Sequence, residues 1–192
     1  MSLLKYVVGG FFYIVPDEQL LKNYKPLFKK YSLLQTIKTS LLLYFIVTVT
    51  FLILLLPGII KNFRILHFDF FKLLSFVKFD FKILFYSIFI APILENFIIM
   101  KILVSVKYNI NKMIVILAFL AVLIHYLDGH GLPSLWSGLM FYIFIDVFLG
   151  GFKQGKNGFL LSVFCHSFYN LLLTVLVEIL QIVTNVSLIP HW

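Results

Sequence analysis

Residues 40–60 read SLLLYFIVTVTFLILLLPGII, a run without one charged side chain. A helix rises about 1.5 Å per residue, so roughly 20 apolar residues cross the hydrocarbon of a bilayer. This stretch therefore reads as a membrane-spanning helix, with Pro57 and Gly58 loosening its far end.

Outward from it, the same pattern repeats. Toward the N-terminus, from Asp17 to Thr39, Glu18, Lys22, Lys25 and Lys29 recur every three or four residues. That spacing predicts a helix lying on a charged membrane surface, and residues 1–39 read as an interfacial segment ahead of a transmembrane domain at 40–192. Toward the C-terminus, Arg64 to Lys82 carries a second helical stripe of charge among Phe and Leu. Four further apolar runs follow, Ile83 to Val106, Met113 to Tyr126, Leu132 to Gly150 and Gly158 to Thr184. The expected fold is all-α, a polytopic transmembrane helix bundle of about five spanning helices plus interfacial amphipathic helices.

Composition supports this reading. The chain is 61% hydrophobic and only 12% charged over 192 residues, too much apolar surface for a soluble core of that length to hide. A net charge of +8 would suggest nucleic acid in a soluble domain. Here the lysines flank apolar runs, as the positive-inside rule requires, so the expected surroundings are membrane lipid and no nucleic acid. With the N-terminus inside, eleven basic residues fall on the inner segments and five on the outer one, between Lys61 and Lys82. The expected location is a bacterial inner membrane. The single cysteine, Cys165, excludes an intrachain disulfide and a Cys-rich metal cluster. The opening run LLKYVVGGFFYIV stops at Pro16-Asp17-Glu18 with no small-residue cleavage site, so no removable signal peptide is read.

Ionisable groups inside spans are costly and mark the first places to look for function. They are Glu95, His125, Asp146, His166 and Glu178. His166 and Asn170 are four apart, one above the other on a helix face. Glu95 and His125 come from two other helices, so a carboxylate, two imidazoles and an amide can meet in one pocket. Such a set suits hydrolysis: an acid in apolar surroundings becomes a stronger base toward water, and donors opposite it hold a developing oxyanion. The plainer alternative is interhelical glue, a common use of His and Asn between membrane helices. His125, near a helix end, is also an ordinary interfacial histidine, and Asp146 fits either a cavity wall or a partner helix. Cys165 and His166 point about 100 degrees apart on a helix, which removes a cysteine nucleophile and base.

The order APILENFIIM, AVLIH and HSFYN resembles the CPBP or Abi family of intramembrane proteases, which includes the CAAX prenyl endopeptidases and bacteriocin-processing or immunity proteins. Its motifs are E-E-x-x-x-R, F-x-x-x-H and H-x-x-x-N/D, with Glu95, His125, His166 and Asn170 at the matching positions. The resemblance covers Pro92 to Asn170, a core at about 83–184. It departs at Asn96, Met100 and Ala121, which stand for Glu, Arg and the aromatic. Joint loss of a helical Glu–Arg pair leaves no buried charge unpaired.

The resemblance implies an intramembrane endopeptidase with Glu95 activating water, His125 assisting, and His166 with Asn170 as oxyanion donors. The partner would be a peptide or membrane-protein substrate. Glu95, His125 and His166 would also be the ligands if a divalent metal such as zinc were bound; the residues leave this open, since a Glu-activated water needs none. The rival from another class is a catalytically weakened member acting by binding, such as a bacteriocin immunity protein. A small transporter would need polar groups along a path across the bilayer, whereas here they cluster.

Overall fold

The computed structural model describes residues 14–62, 81–105, 109–127 and 134–184. Helices α1 (Glu18–Asn23) and α2 (Leu33–Asn62) are followed by α3 (Phe81–Phe85), which passes through a π-helical turn (Tyr86–Ile90) into α4 (Ala91–Ser105). Then come α5 (Ile110–His125), α6 (Ser134–Lys153) and α7 (Gly158–Thr184). No strand occurs among the described residues. Four stretches are long and apolar enough to cross a membrane: Leu33–Thr50, Tyr86–Ser105, Ser134–Lys153 and Gly158–Leu176.

The first span thus starts at Leu33 rather than Ser40, because the lysine and threonines before Ser40 do not interrupt the helix. Thr36, Thr39 and Ser40 return their hydroxyls to carbonyls three or four residues back, which removes the cost of burying them. The expected surface helix over Asp17–Thr39 is likewise divided. Asp17 caps α1 by accepting from the Leu20 N–H at 2.6 Å. At Tyr24 the backbone is extended, φ −84 and ψ 133, and Pro26 bars the helix from resuming at once. The proposed amphipathic helix at 64–82 lies almost entirely outside the described residues.

Helix α6 is the centre of the bundle. It packs against α5 on one side and α7 on the other, while α2 lies along α7. Phe141, Phe144, Ile145 and Phe148 are buried within it, against Leu117 and Ala121 of α5 and Met100 and Leu103 of α4. The α6–α7 turn is tight: Gly155 sits at φ +68, and a Cβ on Gly158 would come within 1.9 Å of the Phe148 carbonyl oxygen. Ser162 closes the same seam by donating to the Phe144 carbonyl at 2.8 Å.

Pro92 follows closely on the π-helical turn. The Ala91 N–H reaches back five residues to the Tyr86 carbonyl. In that register the donor for the Ser87 carbonyl would be residue 92, which is proline and has no N–H. The Ser87 carbonyl is therefore left needing a donor from elsewhere.

Candidate functional site

Glu95 and Asn96 are consecutive on α4, so their side chains diverge by about 100 degrees. The difference shows in burial: Asn96 is fully buried, whereas the Glu95 side chain is 38% exposed. Between them lies the ring of His166 from α7. Its Nδ1 is 3.3 Å from Asn96 Oδ1, and its Nε2 is 3.8 Å from Glu95 Oε2. The second distance is within charge–charge range and beyond a hydrogen bond. Phe144 stacks on the ring at 4.3 Å and 20°, and Phe141 meets it edge-on at 5.5 Å, so the imidazole plane is held from the α6 side.

His125 closes α5. It hydrogen-bonds through Nδ1 to the Ala121 carbonyl at 2.8 Å, one turn back on its own helix. Its ring lies 6.1 Å from that of Phe141, which also meets Phe144 and His166. The structure thus joins Glu95 and His166 directly and sets His125 one aromatic ring away.

Asn170 goes elsewhere. Its Nδ2 donates to the Ser87 carbonyl at 2.8 Å, supplying the donor that Pro92 cannot. Asn170 was expected to join His166 as an oxyanion donor; in this structure its amide nitrogen bonds the π-helical turn. Asn96 has taken the place beside the ring. Its amide nitrogen Nδ2 is buried with no hydrogen-bond partner among the described residues.

Asn96, Met100 and Ala121, where the sequence departs from the motifs it resembles, are all inward-facing. Met100 is fully buried and Ala121 is 3% exposed, so α4 presents an amide and a thioether to the core where a Glu–Arg pair would stand. Lys101, one residue on, is exposed. Among the described residues no three His, Cys, Asp or Glu side chains gather as a metal-binding group, Glu95, His125 and His166 included. The candidate ligand set does not fit a metal in this arrangement.

A cavity of about 810 Å³ opens beside α7, walled by Ile88 and Phe89 of the π-helical turn and by Leu160, Phe164, Ser167 and Phe168. Its walls do not include Glu95, His125 or His166, so the expected common pocket for the three is not this one.

A second polar centre was only partly visible in the sequence. Asp146, 1% exposed on α6, accepts hydrogen bonds from the Tyr24 hydroxyl, from the Tyr31 hydroxyl at 2.5 Å and from the Leu27 N–H at 2.9 Å. Lys153 donates to the Tyr24 carbonyl at 2.6 Å, Lys156 donates to the Tyr31 carbonyl, and Gln154 accepts from the Tyr31 N–H at 2.8 Å. Burial, then the neighbouring Asp146, raises the pKa of both tyrosine hydroxyls well above the usual phenol value. Residues 24–31 are thereby strapped to the end of α6. Tyr31 lies flat against Gly150, where a Cβ would come within 2.2 Å of its ring. The side chain of Glu178 lies outside the described residues.

Comparison with protein-family models, with curated proteins and with solved structures finds no match to this chain.

Proposed function

We propose that this chain is a membrane-embedded endopeptidase of the CPBP type, in which Glu95 activates a water for attack on a peptide bond. The observation that carries the reading is the pairing of Glu95 and His166 across two helices at 3.8 Å, with the imidazole clamped between Phe141 and Phe144. A carboxylate at the edge of an apolar bundle, facing an imidazole that cannot turn, is a general base with a second proton acceptor opposite it. In this reading a water between them gives a proton to Glu95 as its oxygen attacks the carbonyl carbon, and His125 assists the departing amine. The substrate is a peptide or membrane-protein segment reached from the lipid interface.

The proposal includes a fifth crossing by α5, whose 16 residues are fewer than a straight span uses. It also includes a cytoplasmic N-terminus in a bacterial inner membrane, on the strength of the lysine distribution.

A second reading is favoured by two observations. Asn96 and Met100 replace the family's Glu and Arg, and Asn170 is committed to Ser87. A member weakened in this way would act by binding, as a bacteriocin immunity protein does. Cleavage of a membrane-proximal peptide library by the detergent-solubilised protein separates the two. The hydrolase predicts cleavage that falls at least a hundredfold in Glu95→Gln and persists with a chelator. Absence of cleavage together with an immunity phenotype that survives Glu95→Gln would overturn the hydrolase in favour of the binding protein.

A further inference from the structure

We infer that Asn96 is the positioning residue of the Glu95–His166 pair, holding His166 as the Nδ1–H tautomer so that the lone pair of Nε2 faces Glu95. The inference rests on the reading of that pair as the hydrolytic site, and it assigns to this chain's own departure from the family motif the job of orienting the imidazole.

The argument begins with what each atom can do. A side-chain amide oxygen only accepts hydrogen bonds, so the 3.3 Å contact with Asn96 Oδ1 is a bond only when His166 Nδ1 carries the proton. Neutral imidazole bears one proton, so Nε2 is then an acceptor. Glu95 Oε2, at 3.8 Å, is too distant to impose the opposite assignment through a hydrogen bond of its own. The ring cannot rotate to escape the choice, because Phe144 stacks on it and Phe141 abuts its edge. Two acceptors then face one another, and a water with its two O–H groups satisfies both.

Burial makes the assignment consequential. Asn96 is fully buried and His166 is 3% exposed, so bulk water does not substitute for either partner. The Nδ2 of Asn96 lacks a partner among the described residues, a cost that a packing position would avoid by carrying Leu or Met. Met100, on the same inward face one turn later, shows that this helix carries an apolar side chain where nothing polar has to be held.

The test is nitrogen NMR of the full-length protein in detergent, labelled at the imidazole nitrogens, at a pH where histidine is neutral. The His166 signals are assigned by their loss in His166→Gln. The expected wild-type result is a one-bond proton coupling at Nδ1 and none at Nε2. In Asn96→Leu the proton should move to Nε2, and peptide cleavage should fall at least tenfold in kcat with KM little changed. A wild-type His166 protonated at Nε2 overturns the inference, because it means that Asn96 presents its amide nitrogen to Nδ1. An unchanged tautomer in Asn96→Leu overturns it equally. If no variant cleaves any peptide while the tautomer switches as expected, the hydrolase reading fails and the positioning role of Asn96 stands.

Discussion

Two carboxylates of the apolar helices, Asp146 and Glu95, are handled in opposite ways. Asp146 is 1% exposed and surrounded by donors, two tyrosine hydroxyls and a backbone N–H. Glu95 is 38% exposed and faces an imidazole 3.8 Å away. An acid inside a membrane helix is a functional candidate by default, but the default fails where the fold already fills its lone pairs. Asp146 is a structural anchor by that criterion, whereas Glu95 is the partly exposed acid to which the proposed chemistry is assigned.

The comparison breaks most visibly at the anchor. Asp146→Ala orphans two buried hydroxyls and a backbone N–H, and at about 1–3 kcal/mol for each unsatisfied group the loss should reach at least 3 kcal/mol. Thermal unfolding in detergent should show it as a lowered Tm or as failure to accumulate folded protein. An unchanged Tm would mean that the strap contributes nothing. Tyr31→Phe removes one donor and should cost about 1–2 kcal/mol.

Alkali acts on the same strap, with a sign fixed by its tyrosines. Their folded-state pKa values lie above the unfolded value near 10, so their contribution is complete below that pH. It declines as pH rises beyond it, and Tyr24→Phe combined with Tyr31→Phe should flatten that decline.

Smaller effects sharpen the contrast. Asn170→Ala should cost about 1 kcal/mol by leaving the Ser87 carbonyl without its donor, and cleavage should fall by less than tenfold. A hundredfold loss of cleavage there would place Asn170 in the proposed chemistry. Glu95→Gln, nearly isosteric and half in the open, should shift stability by less than about 0.5 kcal/mol while abolishing cleavage. A large loss of stability instead would place Glu95 beside Asp146 as an anchor.

What was legible in the sequence follows from range. Uncharged runs such as Ser40–Ile60 declare helices because hydrophobicity and length are local properties, and the last helix starts at Gly158 as expected. The start of α2 was misread because Lys38 and the threonines look polar in sequence, while each threonine hydroxyl is satisfied by its own helix. The meeting of Glu95 with His166 was expected from one polar residue per helix.

Tyr24 and Tyr31 were passed over because their partner lies more than a hundred residues away and nothing local marks them. The destination of Asn170 depended on a proline in another helix, 78 positions earlier in the chain. Such a link appears only once the register of the π-helical turn is known.

The strap also sets an order on biosynthesis. Tyr31 leaves the ribosome 115 residues before Asp146, an interval on the order of ten seconds at ordinary elongation rates. Throughout that time residues 24–31 have no carboxylate to receive their hydroxyls and no Gly150 surface to lie on. The segment made early is fastened late, after α6 has been inserted. A chain truncated before Asp146 would carry this segment undocked.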